Sequence, residues 1–352
     1  MRKTAVAAVL FTSGLVLAAC GSADNGDAEK KDFTIAATTT PLGSVVDDIA
    51  KCADGKSITI MNPGSDPHSF SPSSEQVADM VKSDLVVANG LGLESGLQSA
   101  IDQAKADNVP VMEAAAEADP IPFGEDGHDH DHAHESETAD EHAGHDHAEE
   151  GHDHAEEGHD HAHEGEAADP HAGHNHGSED PHFWLDAARM SMIAKKIGER
   201  AASESGNDKW KDCGVEVSKE LDKVNDSVKE TLNKVPEDRR VIVTDHDAFG
   251  YFNQAYGFKS EGVVIPGGST QAEPSSAELS ALAKTIKENK VPAIFSNTAI
   301  DSKLVDAVAK EAGTEVKVVP LHVGSVGEEG SDAATYAGMM ESNAKAIADA
   351  LS

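Results

Sequence analysis

The sequence predicts an α/β protein of two βα lobes with mostly parallel sheets, joined by one long connector helix, with a cleft between the lobes. Three observations predict it. Short apolar runs alternate with amphipathic helical patterns in two separate series, the pattern of parallel sheets covered by helices. One helical pattern, from about Asp208 to Val235, lies between the two series and is too long for a crossover. A tract without core-forming residues, Gly124 to Asp180, interrupts the first series without ending it.

The first series opens with the strand pattern Phe33-Thr-Ile-Ala-Ala-Thr. A helix follows over Pro41 to Lys51, with Val45, Val46 and Ile49 on one face. Ser57-Ile-Thr-Ile-Met is the next strand, and the loop Asn62 to Pro72 leads to a helix from about Ser73. Asp84-Leu-Val-Val-Ala-Asn and Val109-Pro-Val-Met-Glu are two more strands. After the tract, structure resumes at Asp180-Pro-His-Phe-Trp-Leu-Asp and a helix from about Ala187 to Ser203. The long helix carries Val215, Val217, Leu221, Val224, Val228 and Leu232 at threes and fours.

The second series begins at Arg240-Val-Ile-Val-Thr-Asp. It continues with a helix over about Asp247 to Tyr256, strand Gly262-Val-Val-Ile, a helix over Pro274 to Asn289 and strand Ala293-Ile-Phe-Ser. A helix over Asp301 to Ala312, strand Val316 to Leu321 and a closing helix from about Asp332 to Leu351 complete it. The expected organisation is therefore 1–20 signal segment, 21–32 tether, 33–205 N-terminal lobe with the insertion 124–180, 206–236 connector and 237–352 C-terminal lobe.

The N-terminus reads as an export signal: Met1-Arg-Lys, then an apolar run from Ala5 to Leu17 too short to span a bilayer. Leu17-Ala-Ala-Cys20-Gly resembles a bacterial lipoprotein box, which implies lipidation at Cys20 and anchoring to the outer face of the cell membrane. Past it only Cys52 and Cys213 remain, an even pair that an oxidising exterior favours as a disulfide. Zinc ligation by the two is the alternative, disfavoured by the lack of a CxxC spacing. The formal charge is −36, and no basic patch offers itself to phosphates, so nucleic acid is not an expected partner.

The inserted tract holds 15 of the 19 histidines and no Lys or Arg. Gly144-His-Asp-His-Ala-Glu-Glu recurs at Gly151 and begins again at Gly158. An acidic linker needs no histidine at every second or third place, whereas imidazole and carboxylate are ligands for Zn²⁺. His128, His130, His132, His134, His145, His147, His152, His154, His159 and His161 are thus expected to form weak metal sites in a segment that cannot build a core.

The other four histidines, His68, His182, His246 and His322, are scattered. The first three sit at strand or helix ends in Asp66-Pro67-His68, Asp180-Pro181-His182 and Thr244-Asp245-His246. Proline fixes φ before the ligand, and the carboxylate can orient the imidazole. A lone histidine at a strand end is ordinary polar surface; three at the expected cleft edge point to a metal centre.

These motifs resemble those of the zinc-binding, ZnuA-like members of the solute-binding proteins that serve ABC metal importers. The resemblance runs from about Phe33 to the C-terminus. It rests on Asn62-Pro-Gly-Ser-Asp-Pro-His68-Ser-Phe-Ser-Pro, Asn89-Gly-Leu-Gly-Leu-Glu94, Asp180-Pro-His182-Phe-Trp-Leu-Asp186 and the segment from Asp245-His246 to Gly257. It implies one Zn²⁺ as cargo at His68, His182 and His246, a membrane permease with its ATPase as partner, and a monomeric, non-enzymatic protein. Manganese-type relatives tend to carry a carboxylate near the position of His246. Where the family commonly places an aspartate after the last strand, this chain has Gly324, so His322 is the expected fourth ligand, with water or Glu328 as alternatives. Two other classes stay open: a metal-storage or adhesin lipoprotein, and a zinc hydrolase using Glu273 or Asp245 as base.

Overall fold

Apolar runs such as Leu85-Val-Val-Ala form short strands buried on both faces, as parallel sheets require. The computed structural model describes residues 32–123, 179–313 and 315–352. The signal segment with Cys20, nearly all of the tether, and the tract histidines lie outside the described residues.

The first lobe contains β1 (Thr34–Ala37), α1 (Thr40–Ala53), β2 (Lys56–Thr59), α2 (Ser74–Lys82), β3 (Leu85–Ala88), α3 (Gln98–Ala106) and β4 (Val111–Glu113). Its sheet is parallel, in the order β2-β1-β3-β4. Helices α4 (Ala187–Ser205) and α5 (Lys209–Leu232) follow. The second lobe holds β5 (Val241–Thr244), α6 (Gly250–Tyr256), β6 (Lys259–Val263), α7 (Ser276–Glu288), β7 (Ala293–Asn297), α8 (Lys303–Ala312), β8 (Lys317–Leu321) and α9 (Tyr336–Leu351). Its sheet repeats the topology as β6-β5-β7-β8, again parallel. The strand order reverses between β1 and β3 and between β5 and β7. Such switch points open ligand crevices at the carboxyl ends of the strands.

With its 24 residues, α5 is about 36 Å long and packs against α1, α4 and α9, so it ties the two lobes together. Its partner α4 lies against it at Gly198 and Gly214, where an added Cβ would sit 2.6 Å from Trp210 O and 2.8 Å from Ala194 O. At its start, Trp210 packs edge-on to Phe33, and Cys213 is disulfide-bonded to Cys52 of α1. At its end, Val228, Leu232 and Val235 are buried in the same apolar cluster as Ile242 and Phe252. One continuous core thus runs through both lobes, and a smaller satellite belongs to each sheet.

Three details depart from the sequence pattern. The helix α3 was not expected, because its buried side is only Ala100, Ile101 and Ala104. The strand β6 covers Lys259–Val263 rather than starting at Gly262; it is an edge strand, and Lys259-Ser-Glu gives it no apolar signal. The helix after β5 starts at Gly250, since Asp247 N–H is taken by Gly267 O.

Candidate metal centre

Each of the three histidine motifs is an aspartate that folds back on its own chain. Asp66 Oδ1 accepts the His68 N–H at 3.1 Å, and Asp180 Oδ1 accepts the His182 N–H at 2.9 Å. Proline between them presets the turn. Asp245 Oδ1 likewise accepts the His246 N–H at 3.0 Å. In two motifs the same oxygen also meets the ring: Asp180 Oδ1 stands 2.7 Å from His182 Nδ1, and Asp245 Oδ1 stands 3.1 Å from His246 Nδ1. A carboxylate at Nδ1 fixes the tautomer and leaves Nε2 for another partner.

The three rings meet between the lobes. All pairs of ring centroids are 5.3 Å apart, and His182 Nε2 is 3.3 Å from His68 Nε2. One nitrogen from each ring lies within 4.8 Å of the others, close enough to hold a single metal ion. All three residues are buried. His68 comes from the loop after β2, His182 from the segment before α4, and His246 from the end of β5 at the second sheet's switch point, so both lobes contribute.

Supporting contacts cross the cleft. Thr270 Oγ1 of the second lobe donates to Asp66 Oδ2 at 2.6 Å, and Gln271 Nε2 donates to His68 O at 2.7 Å. Trp184 stacks beside His182 with centroids 5.2 Å apart and donates Nε1–H to Val323 O at 2.8 Å. Thr40, Ser325 and Gly64 form a further chain of hydrogen bonds across the lobes. The Asn89–Glu94 segment acts behind the site: buried Glu94 accepts from Thr38 Oγ1, Asn89 N and Gly90 N, while Asn89 Nδ2 donates to Pro181 O at 3.1 Å.

The electrostatics favour a cation. Asp180 and Asp245 are buried, and their ion-pair partners among the described residues are the imidazoles of His182 and His246. Burial pushes the Asp180 carboxyl up to about 7, against the opposing pull of the His182 N–H and the His246 ring. Burial pulls the His246 ring down most strongly, but the carboxylates of Asp245, Asp66 and Asp247 together outweigh it, and the net shift is upward. A buried carboxylate is costly unless paired, and a divalent ion on the three rings would supply the missing charge.

His322 does not join the cluster, which corrects the expectation of a fourth imidazole. The strand β8 ends at Leu321, so the two-residue spacing that was to aim His322 into the cleft does not persist. Asn343 clasps it through both His322 N and His322 O, and its ring Nδ1 stands 3.3 Å from Thr298 Oγ1. Glu328 is exposed and lies against Gly64, also outside the cluster. A side chain at Gly324 is excluded sterically, since a Cβ there would be 2.7 Å from Pro67 Cδ. Of the two candidates for a hydrolase's general base, Glu273 is exposed, and Asp245 is engaged by His246 and by the Asn297 N–H at 3.1 Å.

Two parallel α/β lobes, an α-helical tie and three buried imidazoles between the lobes define a two-lobed metal-binding solute-binding protein. The chain belongs to the zinc-uptake complex component A (ZnuA), periplasmic, family, whose profile matches residues 35–350. It is 26% identical over 360 residues to the manganese ABC transporter substrate-binding lipoprotein PsaA of Streptococcus pneumoniae, covering 100% of this chain and 99% of that one. It is 27% identical over 320 residues to the zinc-binding protein TroA of Treponema pallidum, covering 89% and 87%. The solved structure of the periplasmic zinc-binding protein TroA superposes with a TM-score of 0.69 at 25% identity, over 91% of this chain and 99% of that one. Membership makes this a substrate-binding protein of metal uptake; the metal itself is a question for the donor set.

Proposed function

We propose that this protein is the extracytoplasmic zinc-binding component of an ABC importer. It is lipid-anchored through Cys20, takes Zn²⁺ at His68, His182 and His246, and hands it to a membrane permease. The observation that carries the reading is the convergence of three buried imidazoles from both lobes, with no carboxylate oxygen of the described residues in the cluster. Borderline Zn²⁺ prefers such nitrogen donors, whereas Mn²⁺ prefers carboxylate and water. Manganese is the competing cargo, favoured by the names of PsaA and of MntA from Bacillus subtilis. No helix of the described residues is long and apolar enough to cross a membrane.

Competition calorimetry with Zn²⁺ and Mn²⁺ on the mature protein tests the reading. One tight Zn²⁺ per chain, lost in His182→Ala, is expected. Tighter Mn²⁺ than Zn²⁺ binding would give the cargo to manganese, and unchanged affinity in His182→Ala would remove the metal from this cleft.

A further inference from the structure

Asn297 closes β7 at the switch point of the second sheet. Its backbone N–H binds Asp245 Oδ2, and the other oxygen of that carboxylate holds the His246 ring. Its side-chain Oδ1 accepts the Ala299 N–H at 3.0 Å, which fixes which way the amide faces. Nδ2 therefore points the other way, 3.8 Å from where a Cβ on Gly324 would stand. That same point is 2.7 Å from Cδ of Pro67, the residue before His68. Asn297 is 2% exposed, and Nδ2 has no acceptor among the described residues. A buried amide donor without an acceptor costs about 1–3 kcal/mol, and such groups call for a specific explanation.

The cluster itself poses the complementary question. Three imidazoles leave a zinc ion one position short of a tetrahedron, and among the described residues no fourth donor joins the cluster. We propose that the fourth ligand is not protein but a small exogenous oxygen anion of the carboxylate or bicarbonate class, and that Asn297 Nδ2 donates a hydrogen bond to it. The inference rests on the metal reading above. Asn297 is then a positioning residue, selecting an anion with a second acceptor oxygen and retaining it beside the metal. Metal capture becomes synergistic with the anion, and the metal can leave without breaking a protein carboxylate bond.

The test is Co²⁺ as a spectroscopic probe on the full mature chain, at one equivalent, in bicarbonate-free buffer. His182→Ala protein serves as the blank for metal held elsewhere. Titration with bicarbonate or acetate is expected to shift the tetrahedral visible bands of wild type saturably. In Asn297→Leu and Asn297→Ala the Co²⁺ should still bind, with the anion weakened about tenfold or more, the worth of one good hydrogen bond. Bands insensitive to either anion would mean that water or a protein group fills the fourth position, overturning this inference while leaving the metal reading intact. An anion response unchanged in both Asn297 variants would remove Asn297 from the role. No Co²⁺ bands beyond the blank would instead sink the metal reading itself.

Discussion

Replacing Glu94 by Ala removes the support beneath the His182 motif. Glu94 is 3% exposed, and its carboxylate accepts from Thr38 Oγ1 at 2.7 Å, Asn89 N at 2.6 Å and Gly90 N at 3.0 Å. Asn89 N keeps a second acceptor in Thr38 Oγ1 at 3.1 Å, so two donors, Gly90 N–H and the Thr38 hydroxyl, lose their acceptor. At about 1–3 kcal/mol each the gross loss is about 2–6 kcal/mol. Burial raises the Glu94 carboxyl above its ordinary value, so the ionised form already carries a desolvation cost that the variant escapes. The expected net loss at neutral pH is therefore in the lower part of that range, about 2–4 kcal/mol. The raised folded-state pKa also sets a sign. The cost of the ionised form is present above the folded pKa and relieved as pH falls through it, so wild type should gain on the variant when the two are compared at mildly acidic rather than neutral pH. A salt-bridged carboxylate would behave in the opposite way. Urea unfolding of both proteins in chelator, at the two pH values, measures this. A loss under about 1 kcal/mol, or a gap that narrows on acidification, would refute the reasoning.

Asp180→Ala leaves His182 Nδ1 without its carboxylate, and zinc affinity should fall about 10–100-fold while the far-UV circular dichroism stays unchanged; unaltered affinity would deny the carboxylate its orienting role. The double variant Cys52→Ser/Cys213→Ser opens a loop spanning 161 residues and should lose up to about 5 kcal/mol by the chain-entropy relation, with strain and residual structure reducing it. Denaturant midpoints equal to those of the oxidised protein would contradict that. Deleting residues 124–178 should leave one tight zinc and abolish the weak ones, whose uptake in the intact protein should fall as pH drops through about 6.5. Loss of the tight site on deletion would move the functional metal into the tract.

The βα alternation was legible because strands buried on both faces read as uninterrupted apolar runs, and the long connector because its apolar residues recur at helical spacing through Leu232. The strand β6 was misplaced because an edge strand needs no apolar run, and α3 was missed because alanines carry its buried side. In the site, the Asp-Pro-His turns announced themselves through residues that are adjacent in sequence and bond locally. His322 did not, because its fate depends on Asn343, which lies 21 residues away on α9. Thr270 and Trp184 likewise act across the cleft on partners far away in the sequence, and Asn297 reaches Asp245 from 52 residues away within its own lobe. Gly324 was legible as an absence, but only the approach of Pro67 explains why a side chain there is impossible.

The attachment of the histidine tract bears on why the chain would carry one. The residues flanking it meet at the cleft: Pro122 bridges Glu179, and Asp180 N–H donates to Ile121 O at 2.7 Å. Tyr251 of α6 holds both flanks, donating to Asp180 O at 2.9 Å and accepting from Ile121 N at 3.3 Å. Phe123 stands edge-on to His182 with centroids 6.3 Å apart and packs against Gly268 of the second lobe. The tract thus begins and ends at the residues that orient one of the three imidazoles. A store of metal could hang from any surface loop. A store attached beside His182 would raise the local supply to that site, and this is the reading that deletion of residues 124–178 tests.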